Sequence, residues 1–160
     1  MNPIQQFCEW LTTTWLGMQI SENYFPLVES IHVIGLAGVF GSIAIVDMRL
    51  LGLANKKLPI TYLSNQVLPW TWRSFFLAAL TGTLMFIGNA TTYYENTPFR
   101  VKVVLLILVA VNMAIFQFGT FRNVSAWDTG KPAPGARFAG AMSLLLWTGV
   151  VGFGRWIGFV

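Results

Sequence analysis

The chain has 160 residues, of which 55% are hydrophobic and only 10% are charged, and its formal net charge is +4. An average soluble domain is about 25% charged, so this composition argues against an ordinary soluble protein and favours a chain whose main solvent is lipid. No basic cluster interleaved with aromatic residues occurs, so a nucleic-acid partner is not expected. The single cysteine, Cys8, excludes an internal disulfide.

The first predicted domain is an N-terminal amphipathic segment and its linker, over residues 1–22. Apolar residues recur there at helical spacing with polar residues between them, namely Phe7, Trp10, Leu11 and Trp15. The segment is too short and too polar to span a bilayer. It predicts a helix that lies in the membrane interface or packs across the mouth of a helix bundle, and both alternatives are open. No basic stretch followed by an apolar core occurs, so no cleavable signal peptide is expected.

The second predicted domain, residues 23–160, contains four apolar runs of membrane length. The runs cover about 26–53, 69–93, 99–118 and 136–159. About 20 apolar residues cross a bilayer, and a helix is the open-ended structure that satisfies its own backbone in lipid. The sequence therefore predicts an all-α fold. We expect an antiparallel four-transmembrane-helix bundle with an N-terminal amphipathic interfacial helix.

The distribution of lysine and arginine predicts the orientation of these spans. Basic residues in short loops stay in the cytoplasm, and they are concentrated at 49–73 and 119–137. The opposite side carries all four glutamates. This bias predicts a multi-pass protein of the bacterial inner membrane with both termini in the periplasm. The lipid bilayer is the expected partner. The sequence leaves open whether the chain also forms a homo-oligomer or joins a larger membrane complex.

The outer end of the first run carries the chain's only histidine, His32, with Glu29 one helical turn away on the same face. Met85 of the second run is expected at a similar depth. Histidine is a common metal and haem ligand, and methionine is a soft second ligand. The pattern predicts haem b or copper on His32 and Met85, with Glu29 orienting His32 and with Arg100 and Lys102 holding haem propionates or an anionic partner. A structural histidine with no cofactor is the open alternative.

The inner end of the same run carries Asp47 and Arg49, and Arg73 follows near the start of the second run. An unpaired charge near the hydrocarbon is costly, so a structural ion pair of Asp47 with Arg73 or Arg49 is expected. The alternative is a proton or ion relay. Such a relay would continue from Asp47 through Asn112 and Gln117 of the third run.

Three functions follow from these two ends of the bundle. The first is a small redox or metal-handling membrane protein with haem b or copper near the periplasmic face. The second is a non-catalytic scaffold or accessory subunit of a larger complex, and the third is proton or ion translocation. The sequence has no phosphate loop, paired-cysteine motif, HExxH motif or nucleophile elbow, so no catalytic residue is predicted.

Several short motifs resemble a known family. They are 29–32 (ESIH), 47–52 (DMRLLG), 68–72 (LPWTW) and 96–102 (NTPFRVK). Together they resemble a family of small bacterial four-helix membrane proteins of unknown function, distantly similar to the membrane domains of copper-resistance D-type proteins. The resemblance covers roughly residues 25–120. It implies a four-helix inner-membrane protein, with copper and haem as analogies at the level of the fold.

Overall fold

The computed structural model describes residues 2–159, and these residues form an all-α protein. Met1 and Val160, the outermost residues of the two predicted domains, lie outside the described residues. The long helices are α3 (Phe25–Leu50), α4 (Ile60–Gly88), α6 (Thr97–Phe118) and α7 (Pro134–Trp156). The short helices are α1 (Pro3–Thr13), α2 (Trp15–Gln19) and α5 (Ala90–Glu95), with a π-helical turn at Ile20–Tyr24 and 3-10 segments at Thr120–Ala126 and Ile157–Phe159.

Side-chain caps fix where several helices begin. The Asn2 side chain accepts a hydrogen bond from the Ile4 amide at 3.3 Å, and Gln5 bonds back to the Asn2 amide at 3.1 Å, which makes a capping box for α1. The Asn96 side chain caps α6 by accepting a hydrogen bond from the Phe99 amide at 2.9 Å. These bonds satisfy amide groups that have no partner within the first helical turn.

Small residues let α3 and α4 approach closely in antiparallel orientation. A Cβ atom added at Gly35 would lie 3.0 Å from the amide nitrogen of Ala78, and one added at Gly38 would lie 2.5 Å from Oγ of Ser74. The contacts therefore advance along α3 while they run backwards along α4. Close backbone approach at small residues is a common way for helices to associate in membranes.

Helix α7 packs against both α6 and α3 and completes the bundle. Val39 of α3 is buried with Trp147 and Val150 of α7 in one core cluster. A second cluster lies at the other end of the bundle and consists of Leu50, Ile60, Trp127 and Ala136. The turn that leads from α3 to α4 contains Gly52 at φ +72° and Asn55 at φ +53°, a left-handed conformation that these residue types tolerate best.

Three helical stretches of the described chain are long and apolar enough to span a membrane: Trp15–Leu50, Thr97–Phe118 and Pro134–Phe159. Three of the predicted runs match these stretches, although the first one is helical from Trp15 onward. The run predicted at 69–93 differs, since α4 already begins at Ile60 and contains Pro69 in its interior. Its first half also carries polar side chains, which lowers its mean hydropathy.

The N-terminal helix α1 packs against α5 and α4. Cys8 is 2% exposed on the packed side of α1, whereas Phe7 and Trp10 are 55% and 60% exposed on the other side. The predicted amphipathic helix is therefore present, and the face that contains Cys8 covers one end of the bundle.

Candidate functional site

His32 lies in a seat formed by α4. Its Nδ1 is 2.8 Å from the carbonyl oxygen of Ala78 and 3.1 Å from Oγ1 of Thr81. Gly82 leaves room for the ring, because a Cβ atom there would lie 3.0 Å from Cε1 of His32. A carbonyl oxygen only accepts hydrogen bonds, so Nδ1 carries the hydrogen and donates it. In the neutral ring, Nε2 then keeps a free lone pair.

Thr81 is held by its own helix while it contacts His32. Its hydroxyl donates to the carbonyl oxygen of Leu77 at 2.7 Å, which leaves an oxygen lone pair facing Nδ1 of His32. The imidazole is thus positioned by α4, and not by Glu29 as the sequence predicts. Glu29 is exposed near the same end of α3 as His32, which we call the outer end for reference, and its charge acts on Tyr93. In the sequence, Ala78 and Gly82 form a small-xxx-small pair and Thr81 is a polar residue of the same run, a pattern that predicts close helix packing and does not by itself indicate a seat for His32.

Lys102 of α6 lies close enough to this seat for its charge to act on His32. It is half-buried, and its Nζ lies beside Gly154 of α7, where an added Cβ atom would be 3.3 Å away. Within residues 2–159, Lys102 forms no hydrogen bond and no ion pair. The outer end of the bundle therefore combines an imidazole with a lysine that is free to bind an anionic group.

The other predicted members of the outer site occupy different positions. Met85 is half-buried on α4, one turn beyond Thr81. Arg100 is exposed, donates from Nε to the carbonyl oxygen of Tyr94 at 2.8 Å and lies 5.3 Å from the Tyr94 ring. Arg100 therefore stabilises the turn between α5 and α6, whereas Met85 follows the His32 seat along α4.

At the opposite end of α3, which we call the inner end for reference, Arg49 joins two loops. It is 1% exposed and donates from Nε to the carbonyl oxygen of Leu58 at 3.0 Å. Its Nη2 donates to the carbonyl oxygens of Asp128 at 3.2 Å and Gly130 at 3.5 Å. The buried charge is thus satisfied by backbone dipoles of the loops that precede α4 and α7.

Asp128 caps α4 from a distant part of the chain. Its carboxylate accepts from the amide of Thr61 at 2.8 Å and from the Thr61 hydroxyl at 2.7 Å, and its carbonyl oxygen accepts from the amide of Ile60 at 3.1 Å. The hydrogen bond from the Thr61 amide is the main cause that holds the pKa of Asp128 below its usual value.

Asp47 does not form the predicted ion pair. It is 5% exposed, and its Oδ2 has no hydrogen-bond partner among the described residues. Arg73 is exposed on α4, with its guanidinium 5.1 Å from the Trp70 ring. The helix register explains this separation, because the Thr71 hydroxyl donates to Ser42 at 2.8 Å. Asp47 is five residues beyond Ser42, about 7.5 Å further along α3 and away from Arg73.

The residues predicted to continue a relay from Asp47 are divided. Asn112 is half-buried, and its side-chain amide donates to the carbonyl oxygen of Ala139 at 3.0 Å, which ties α6 to α7. Gln117 is exposed on the surface of α6. The structure therefore brings Asn112 toward the α7 segment that packs on Asp47, and it does not bring Gln117 there.

Two cavities at the outer end are lined by residues that include neither His32 nor Lys102. One of about 450 Å³ is lined by Glu95, Asn96, Thr97, Pro98, Phe153 and Trp156. Another of about 140 Å³ is lined by Gln5, Cys8, Glu9, Thr91, Tyr94 and Glu95. Residues 2–159 contain no group of three or more histidine, cysteine, aspartate or glutamate side chains placed to hold a metal ion.

Comparison with known proteins identifies a family and no further relative. Residues 7–160 match a family of unknown function, DUF6644. No curated protein and no solved structure gives a significant match. The comparisons thus provide no link to copper-resistance D-type proteins, and the family has no activity to transfer. Because the match covers nearly the whole chain, the protein belongs to the DUF6644 family.

Proposed function

We propose that the chain is a four-span protein of the bacterial inner membrane, with α4 as the additional span. Helix α4 has 29 residues and packs along α3, which is part of a membrane-length stretch. Beyond Arg73, the remainder of α4 is free of charged residues. Side chains in a helix lean toward its N-terminus, so Arg73 can extend over Trp70 toward the inner surface. This geometry lowers the free-energy cost of placing the Arg73 charge within a span.

The orientation proposed for this bundle places both termini in the periplasm. An even number of spans puts the two termini on one side, and the basic segments 49–73 and 119–137 favour the cytoplasm for the opposite side. The exposed rings of Phe7, Trp10 and Trp15 then lie at the outer surface. Aromatic side chains are favoured in the membrane interface, which suits an α1 helix that covers the bundle and contacts lipid headgroups.

We further propose that the outer end binds haem b or copper through Nε2 of His32. The observation that carries this proposal is the 2.8 Å hydrogen bond from Nδ1 to Ala78, which fixes the ring and its tautomer. Histidines that ligate metals commonly have such a bond on the other ring nitrogen. The half-buried position of His32 between helices is also typical of intramembrane residues with a function.

The remaining residues of this proposed site have distinct roles. Met85 would be the second ligand within the chain, or a second copy of the chain would supply one across a two-fold axis. Lys102, which has no ion-pair partner within residues 2–159, would hold a haem propionate. A bound haem or copper ion would supply one-electron redox chemistry. No residue of this chain is proposed to act as a catalytic acid, base or nucleophile.

The test is a visible spectrum and a metal analysis of protein expressed with haem and copper available. A Soret band would identify haem, and stoichiometric copper without a visible band would identify Cu(I). We expect His32→Ala to lose the bound group, whereas Thr83→Ala, at an exposed position of the same helix, keeps it. A wild-type protein without stoichiometric haem or copper contradicts this proposal.

A non-catalytic scaffold or accessory subunit is the second candidate. The surface of α6 favours this candidate. Most residues of the helix are apolar, yet none of them is buried in the described structure. Such a face is available to lipid, a second copy or a partner subunit. If His32 is only structural, His32→Ala will lower the melting temperature without changing metal content or colour. Native co-purification from membranes would then identify the partner.

A further inference from the structure

We propose that Asp47 is a proton-binding group of the membrane domain, seated between α3 and α7. Its side chain is 5% exposed, and its Oδ2 has no hydrogen-bond partner among residues 2–159. Asp47 lies three residues before the end of α3, within a helical stretch of membrane length. A buried carboxylate is costly unless it is paired or hydrogen-bonded, and binding of a proton removes its charge.

The α7 side of this seat has the groups that a proton site needs. Gly140 lets the α7 backbone approach, since a Cβ atom there would be 3.2 Å from the Asp47 carbonyl oxygen and 3.6 Å from its Cα. Ser143, three residues later, interacts with the carboxyl group. A hydroxyl both donates and accepts hydrogen bonds, so Ser143 can accept from the acid and donate to the carboxylate. The same side chain thus serves both protonation states.

The cations near this seat are engaged elsewhere or exposed. Arg49, on the same helix, donates to three loop carbonyl oxygens. Arg73 of the neighbouring α4 lies over Trp70. The carboxylate of Asp128 is bound to Thr61. The other basic side chains of this end are exposed, and they are Lys56, Lys57, Arg122, Lys131 and Arg137. Asp47 therefore has no ion-pair partner in the described part of the chain.

A proton fits this seat better than a metal cation does. Calcium and magnesium ions need several oxygen ligands, and helix carbonyl oxygens are already used within the helices. Within residues 2–159, Asp47 does not belong to any group of three or more histidine, cysteine, aspartate or glutamate side chains that could hold a metal ion. A proton needs one oxygen only. Its transfer from hydronium breaks one O–H bond of hydronium and forms one on the carboxylate. One water molecule is released and one positive and one negative charge cancel, so no oxidant or reductant takes part.

The proposal is tested by infrared difference spectroscopy of the full chain in lipid nanodiscs. We expect a carboxylic-acid carbonyl band that is present in the wild type and lost in Asp47→Asn. Ser143→Ala should shift this band, because the acid loses the neighbouring hydroxyl group, while Ser42→Ala on the α4-facing side of α3 should leave it unchanged. A wild-type spectrum without such a band from mildly acidic to mildly alkaline pH overturns the proposal. So does a band that Ser143→Ala does not move, which keeps the test decisive if Asp47→Asn fails to fold.

Chemical labelling gives an independent readout. A lipid-soluble carbodiimide reacts with protonated carboxyl groups inside membranes, so mass spectrometry should find it on Asp47. A water-soluble carbodiimide should instead modify exposed carboxylates such as Glu29. Absence of lipid-soluble label from Asp47 contradicts the proposal. Haem or copper content should not change in Asp47→Asn, so this test is distinguishable from failure of the His32 site.

Discussion

His32 of α3 donates a hydrogen bond to the carbonyl oxygen of Ala78 of α4, with 2.8 Å between the two heavy atoms. A helix carbonyl already accepts a bond from its own helix, so this contact requires the two helices to be close. Gly35 and Gly82 provide that closeness on either side of the bond. The relationship fixes the register of the α3–α4 pair and the orientation of the only histidine in the chain.

Alanine substitution at Gly35 should destabilise the α3–α4 pair. The new Cβ would lie 3.0 Å from the backbone nitrogen of Ala78, which cannot move away without separating the helices. Overpacking of this kind costs about 1–3 kcal/mol, partly offset by the better helix propensity of alanine. Gly41→Ala is the matched control, because no atom lies within 4 Å of its added Cβ. Thermal unfolding in detergent should rank Gly41→Ala above wild type and Gly35→Ala below it, and the reverse order would refute the proposed close packing.

Replacement of Arg49 should destabilise the inner end of the bundle. Arg49→Met removes three hydrogen bonds from a buried guanidinium to the carbonyl oxygens of the two loops that it joins. Bonds from charged donors contribute about 1.5–3 kcal/mol each, and losses within one network are not additive, so we expect a total of about 2–4 kcal/mol. Arg122→Met changes an exposed arginine of the same end and serves as control. Equal melting temperatures of the two variants would contradict the clamp.

Loss of the Asp128 cap should destabilise α4 in a pH-dependent way. Removing a helix cap costs about 1 kcal/mol, which Asp128→Ala should show at neutral pH. The Thr61 amide lowers the pKa of Asp128 in the folded state. A group with a lowered folded pKa stabilises the fold above its unfolded pKa of about 3.9, and this contribution disappears as the pH falls through the folded value. The stability difference between wild type and Asp128→Ala should therefore shrink below about pH 4. A difference that grows toward acidic pH would have the wrong sign.

Cys8 should be protected from thiol reagents as long as α1 is docked. Its side chain is 2% exposed against the outer end of the bundle. A water-soluble maleimide should modify it only slowly in the native protein and rapidly after denaturation. A cysteine introduced at Phe7 in a Cys8→Ser background is the control, since this neighbouring position is 55% exposed. Similar labelling rates for both cysteines would show that α1 does not pack on the bundle.

The proposed topology predicts the location of the C-terminus. A reporter fused after Val160 should be active only if it functions in the periplasm, because the basic loops at the other end are expected in the cytoplasm. A second fusion in the segment between α3 and α4 should show the opposite behaviour. Activity of a cytoplasm-specific reporter after Val160 would contradict the four-span arrangement, as would three spans with the termini on opposite sides.

The sequence determined the class of this protein and the position of most of its helices. Long apolar runs leave few alternatives to helices in lipid, because no water is available there to satisfy the backbone. The same runs determined that His32 and Asp47 belong to one helix and lie near its opposite ends. Three of the four predicted runs correspond to helical stretches of membrane length. The second run was predicted to begin at about residue 69, whereas α4 begins at Ile60, because polar residues and Pro69 occur inside a helix that continues through them.

Only the tertiary structure decided which side chains meet. The α3–α4 register placed Arg73 beside the middle of α3, so Asp47 was left with Ser143, and the predicted ion pair was not formed. Likewise, Arg49 found its partners in loops that are up to 81 residues away along the chain. Hydropathy is a property of each segment alone, whereas register depends on how small residues of one helix fit the grooves of another. The sequence carries that information only through the joint packing of all four long helices.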